Sequence, residues 1–226
     1  MSQTVEMHII ARIRSDFPTK FGIPRQSGLA DVPARIVFEP EYRNADALRG
    51  IEGFSHLWLI WQFSAAVREG WSPTVRPPKL GGNKRIGVFA TRSPFRPNEI
   101  GLSSVRLDRV ELNTPDGPVL HISGADLMDG TPIFDIKPYL AYTDSHPEAR
   151  GGFALTTDAV RVECPAALLD KLPEERRQTL LNVLAQDPRP GYQHEPGRVY
   201  GFPFAGFEVK FTVEGDLLTV RQIESR

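Results

Sequence analysis

The strongest constraint on the fold is a succession of short apolar segments between residues 8 and 140, cut apart by turns and never by a helix-length amphipathic stretch. Parallel strands need crossover helices, so such a chain pairs its strands antiparallel, and this many of them are expected to close into a barrel. The expected strands are His8–Ile13, Ala34–Phe38, His56–Phe63, Ile86–Ala90, Leu102–Leu112, Val119–Ser123 and Ile133–Leu140, the last bent by Pro138. His56–Phe63 is almost continuously apolar, which predicts a central strand buried on both faces. Asn44–Leu48 reads as one helical turn, capped by Asn44 and ended at Gly50.

The sequence changes character after Gly151-Gly152. A strand is expected at Val160–Glu163, helices at Pro165–Leu172 and Pro173–Ala185, and strands at Val199–Phe202, Phe207–Thr212 and Leu218–Ile223. Pro173 suits the first helical position, Glu174 and Glu175 complement the helix dipole, and Pro188 lies just past the end. The fold class is therefore mainly β: an antiparallel barrel over residues 5–145, with a small α+β C-terminal domain over 155–226. A unit of that size is expected to dock on the barrel or on another subunit.

The net charge of −1 says little about partners, but its distribution says more. From Arg76 to Arg109 there are eight Lys/Arg against two acids, the pattern of a local polyanion site. At its centre, Arg92-Ser93-Pro94-Phe95-Arg96-Pro97-Asn98-Glu99-Ile100-Gly101-Leu102-Ser103 joins two strand-like segments. Each proline fixes its own φ and pushes the preceding residue, Ser93 or Arg96, towards extended backbone. A stiff loop follows, with its guanidinium groups held in place for an anionic ligand.

Other chemistries lack their signatures. There is no G-x-G-x-x-G, no Walker A and no G-x-S-x-G, which disfavours a Rossmann-type enzyme. The five histidines are scattered, so no metal site is expected. The single Cys164 allows no internal disulfide and has no activating neighbour. No apolar run has the length of a membrane span and the N-terminus has no signal-peptide pattern, so the expected location is cytoplasmic.

Three further segments resemble ligand loops. Phe21–Gly28 is punctuated by Gly and Pro and carries Arg25 and Gln26, while Gly53–Trp58 sets His56 at a strand start. Asp126–Tyr139 gathers three carboxylates, a lysine and a tyrosine. Asp135 and Lys137, two apart on a strand, share a face. They form either a plain ion pair or a base with its electrostatic partner.

Together these loops resemble a known family. Arg92-Ser93-Pro94-x-Arg96-Pro97-Asn98-x-Ile100-Gly101-Leu102-Ser103 and Asp129-Gly130-Thr131-Pro132-x-x-Asp135-Ile136-Lys137-Pro138-Tyr139 are similar to the signatures of the TsaA-like β-barrel domain. The wider pattern is similar to the TrmO-type tRNA methyltransferases: Pro24-Arg25-Gln26, Phe54-Ser55-His56-Leu57-Trp58, Gln186-Asp187-Pro188-Arg189-Pro190 and Tyr200-Gly201-Phe202. One departure stands in the first signature, where Glu99 replaces the family's usual proline. The resemblance implies a non-Rossmann barrel that uses S-adenosyl-L-methionine, commonly as a homodimer with the cofactor near the subunit interface. It also implies N6-methylation of threonylcarbamoyladenosine beside the anticodon, with the tRNA anticodon loop as partner. Carried over by motif, cofactor contacts fall at Pro24, Arg25, Gln26, His56, Leu57, Arg92, Leu102, Asp129, Gly130, Thr131 and Pro132.

The acceptor nitrogen of that substrate is urea-like, and removing its proton calls for a base. Asp135 is the first candidate, with Lys137 or Tyr139 as orienting or charge-stabilising partner. Phe95 is either a stacking platform for an RNA base or a buried anchor of its loop, and Arg96, Lys84 and Arg85 are candidates for the threonyl carboxylate. Two competing readings are a non-catalytic β-barrel that binds nucleotide or RNA, and a methyltransferase acting on a small molecule.

Overall fold

A computed structural model describes residues 4–77, 80, 84–154, 159–189, 195 and 197–226; of the residues named above, Pro190 lies outside this set. Strands β1 (Ala11–Arg14), β2 (Pro33–Phe38) and β3 (His56–Gln62) are followed by a short pair, β4 (Thr74–Val75) and β5 (Ile86–Gly87). Then come β6 (Ile100–Glu111), β7 (Val119–Ser123), β8 (Pro132–Pro138) and the single turn α1 (Ala141–Asp144). The C-terminal region holds β9 (Arg161–Glu163), α2 (Ala166–Leu169), α3 (Glu174–Ala185), β10 (Tyr200–Phe204), β11 (Phe207–Glu214) and β12 (Leu217–Ser225).

Six strands close an antiparallel barrel in the order β1-β2-β7-β6-β3-β8, with β8 returning to β1 through Ala11 opposite Ile133. Alternation along β3 sets its interior: Leu57, Leu59 and Trp61 point inward and join Ile13, Ile36 and Leu120 in one apolar cluster. Trp58, Ile60 and Gln62 point outward and are only half-buried, so β3 is buried on one face and not on both. The reason is the single wall of the barrel, whose outer side at Leu102, opposite Ile60, is 56% exposed. Gly101 lies opposite Trp61, and a Cβ there would sit 2.3 Å from the indole. Only glycine lets β6 pass that ring.

Other boundaries also move. The first strand begins at Ala11 and not at His8. Ile86–Ala90 is not a barrel strand: among the described residues Ile86 and Gly87 pair with Val75 and Thr74 alone, and Val88–Ala90 then winds into a 3₁₀ turn. β-Propensity without a free barrel edge is not enough to recruit this segment. Pro173 caps α3 from an extended conformation (φ −52°, ψ 141°) and does not occupy its first turn, while α2 is a single turn. The Asn44 turn is as expected, with the side chain accepting from Asp46 N at 3.0 Å and Gly50 left-handed at φ +88°.

In the C-terminal region β10-β11-β12-β9 form one sheet, with β9 parallel to β12. Its core includes Phe202, Phe211, Leu180 and Leu184, and it extends to Phe17, Ala30 and Val32 from the long β1–β2 connection. Polar ties follow the same path. Arg176 pairs with Asp16 at 2.9 Å, Thr179 Oγ1 donates to Asp31 O at 3.3 Å, and Ala205 N donates to Asp16 O at 3.0 Å. Gly22, in this connection, has φ +92°, and a Cβ on it would lie 2.2 Å from the Phe202 ring. Gly22→Ala is therefore expected to cost about 2 kcal/mol through overpacking and left-handed strain combined. Urea denaturation measures it, and an unchanged midpoint would contradict the close packing of this joint.

Candidate active site

Three segments border a cavity of about 920 Å³ beside β3, which lines it with inward-pointing Trp61 as well as outward-pointing Trp58 and Gln62: the β1–β2 connection, the loop leading into β6, and the turn between β7 and β8. The loop into β6 is braced largely by its own groups. Ser93 N donates to Thr91 Oγ1 (3.2 Å), Phe95 N to Ser93 Oγ (3.2 Å), and Arg96 Nη1 to the carbonyls of Thr91 (3.1 Å) and Ser93 (3.4 Å). Its far end is pinned where Phe63 N donates to Glu99 O at 2.8 Å. The Arg68 guanidinium lies 3.6 Å from the Phe95 ring centroid, so a cation already covers one face of that ring.

A second set of contacts joins this loop to the C-terminal region. The Arg92 guanidinium donates to Gln26 Oε1, and Gln26 Nε2 donates to Arg25 O at 2.5 Å. Arg25 Nη2 in turn donates to the carbonyls of Asp187 (2.9 Å) and Arg189 (3.2 Å). Those two residues pair a buried guanidinium with a half-buried carboxylate, Arg189 Nε and Nη2 each lying 2.8 Å from an oxygen of Asp187. Burial works against the charged carboxylate, but the hydrogen bonds and charge of Arg189 outweigh it and hold Asp187 below the ordinary aspartate range.

The cavity floor carries a buried polar chain. Trp61 Nε1 donates to Ser103 Oγ at 3.0 Å, and Ser103 Oγ donates to Asp126 Oδ1 at 2.6 Å. Burial pushes the Asp126 carboxyl above the ordinary aspartate range. Lys20, Arg25, Arg92 and Arg96 also line the cavity, and among the described residues Asp126 is its single acid.

Of the expected cofactor residues, Pro24, Arg25, Gln26, Arg92, Leu102 and Thr131 meet around this cavity, whereas His56, Leu57, Asp129, Gly130 and Pro132 do not line it. Leu57 is fully buried in the barrel core. His56 Nδ1 lies 3.0 Å from Ser55 Oγ. Asp129 accepts from Ser15 N at 3.1 Å, Gly130 turns at φ +77°, and Pro132 begins β8 opposite Arg12. Asp135 and Lys137 form a 2.9 Å ion pair opposite Ile60 and Trp58, and the Tyr139 ring lies 5.4 Å from that of Trp58. Asp135, Lys137 and Tyr139 do not line the cavity; their neighbour Trp58 does. Ser103 and Asp126 fall within the two segments the sequence marks as ligand loops but receive no role there, and Trp61 is not singled out at all; the further signal was one acid in the apolar run Gly124-Ala125-Asp126-Leu127-Met128. No group of three or more metal-ligating side chains occurs among the described residues.

Fold and site together define a class: a closed antiparallel barrel whose large cavity mixes several cations with one largely desolvated carboxylate. The comparisons with known proteins narrow this. The tRNA-methyltransferase O N-terminal domain model matches residues 12–145 and the TrmO C-terminal domain model matches 157–226. The tRNA (adenine(37)-N6)-methyltransferase of Escherichia coli K12 is 42% identical over 228 residues, covering 96% of this chain and 97% of that protein. A Pseudomonas aeruginosa protein named as a candidate S-adenosylmethionine-dependent methyltransferase, RcsF, is 44% identical over 209 residues, or 85% of each chain. A crystal structure of TrmO from P. aeruginosa superposes with a TM-score of 0.80 at 35% identity, covering 100% of this chain and 99% of that one. The chain belongs to the tRNA-methyltransferase O family.

The Asp187–Arg189 pair makes a stability prediction. A carboxyl whose folded pKa is depressed contributes stability above its unfolded pKa, near 3.8, and loses it as pH falls through the folded value. Arg189→Met removes the guanidinium bonded to the half-buried Asp187 charge at pH 7, at a cost of about 2 kcal/mol, and costs less at pH 2. Denaturant titrations at both pH values check this; equal losses would show that the charge pair is not the source.

Proposed function

We propose that the protein is an S-adenosyl-L-methionine-dependent tRNA (adenine-N6)-methyltransferase acting at position 37, beside the anticodon, on the threonylcarbamoylated nucleoside. The observation that carries this reading is the meeting of Pro24–Gln26, Arg92, Leu102 and Thr131, from three separate loops, around one cavity. Within it those residues form the cofactor site, and His56, Leu57, Asp129, Gly130 and Pro132 support it from behind or from a partner subunit. Exposed Leu102 and Ile100 at its edge support a homodimer that covers them. No helix among the described residues is long and apolar enough to cross a membrane; a tRNA substrate supports a cytoplasmic location. The barrel over 5–145 carries the chemistry, and the unit over 155–226 holds its cofactor loop.

The sulfonium methyl is already activated, so holding donor and acceptor in line supplies most of the catalysis, on the order of 7–11 kcal/mol. Asp135 accepts the acceptor's proton, with Lys137 or Tyr139 stabilising the charge, for a gain of roughly 10²–10⁴-fold. The anticodon loop approaches over the cavity mouth, where Phe89 and Trp71 are 73% and 55% exposed with ring centroids 6.2 Å apart. Exposed aromatic rings beside arginines suit unstacked bases.

Labelled S-adenosylmethionine with tRNA carrying or lacking the threonylcarbamoyl group tests the assignment. Label should pass only to the carbamoylated tRNA; no transfer to either would leave a binding module. Asp135→Asn should bind cofactor normally and lose at least about a hundredfold in turnover, and near-normal turnover would remove Asp135 as the base.

A further inference from the structure

Asp126 has no role in the reading above, yet it is the best-prepared group at the cavity. An indole N–H can only donate, so Ser103 Oγ accepts from Trp61 and must spend its one proton on Asp126 Oδ1. The chain therefore has a fixed direction and holds the carboxyl as an acceptor in one orientation. Burial pushes its pKa up, while the Ser103 hydroxyl, the Asp126 and Ser27 amides and the nearby Arg92 charge act the other way. A largely desolvated carboxylate compensated mainly by neutral donors is stabilised further by any cation that a ligand brings.

What such a ligand offers is constrained by Arg92. It lines the same cavity, acts on Asp126 as a neighbouring charge, and is steadied by Gln26. A cation and an anion lining one cavity complement a group that carries both charges on one carbon, an α-amino acid. S-adenosylmethionine ends in such a group. We propose that Asp126 binds the α-ammonium of the cofactor while Arg92 binds its α-carboxylate, so that the Trp61–Ser103–Asp126 chain selects for the amino-acid end. This rests on the cavity being the cofactor site. Placing the carboxylate on the sulfonium instead would stabilise the ground-state cation, whose charge the reaction removes, and would slow transfer.

Calorimetric titration with three probes separates these roles: S-adenosylmethionine, S-adenosylhomocysteine, and 5′-methylthioadenosine, which lacks the amino-acid end. Asp126→Asn should weaken the first two alike, by about ten- to a hundredfold, and leave the third unchanged, which also shows that the pocket is still folded. Loss confined to S-adenosylmethionine would assign Asp126 to the sulfonium and overturn the proposal. Equal loss for all three probes, or no loss, would overturn it too. Should Asp126→Asn fail to fold, Ser103→Ala keeps the charge but frees its orientation; it should lose several-fold for the two amino-acid ligands and nothing for methylthioadenosine, and any other pattern counts against the proposal. Wild-type protein that binds none of the probes would refute the cofactor site itself. Wild-type binding with an unaffected variant would refute only the role of Asp126.

Discussion

Everything in this structure depends on β3 being held between β6 and β8. That double pairing closes the barrel, and strand alternation then sorts its side chains without further instruction. Leu57, Leu59 and Trp61 fill the interior, while Trp58, Ile60 and Gln62 form an outer surface. Trp61 serves both sides, since its ring packs in the core against Gly101 and its N–H begins the chain that ends at Asp126. The apolar core and the polar cavity floor are thus parts of one packing arrangement.

The second dependence runs through the β1–β2 connection. One portion of it, Phe17, Ala30 and Val32, is core for the C-terminal sheet, while another, Pro24–Gln26, lines the cavity. Arg25 reaches back to the carbonyls of Asp187 and Arg189, so the C-terminal unit is bonded to the loop that Gln26 ties to Arg92. A small sheet that folds by recruiting this connection also fixes one wall of the site.

The barrel was legible in the sequence because two-residue periodicity and turn chemistry are local, as at Val119–Ser123 and the Asn44 turn. Local information misled where a partner decides the outcome. Ile86–Ala90 has strand composition but among the described residues finds only Thr74–Val75 to pair with, and Trp58 and Ile60 are apolar without being covered on the outside. The loops of the site were legible through their Pro, Gly and Arg spacing, including the stiffness of Arg92–Ser103. Self-bracing through Arg96 was not, and neither was the Trp61–Ser103–Asp126 chain, whose links span 42 and 23 positions. Glu99 anchors the loop through its carbonyl, and nothing in the structure explains its acidic side chain.

Amide hydrogen exchange with and without S-adenosylmethionine tests the central claim most directly, namely that three loops distant in sequence form one cofactor cavity. Protection is expected together at residues 23–27, 89–98 and 126–131, which meet only in the folded barrel. Protection in one of these segments alone, or confined to the C-terminal sheet, would contradict it.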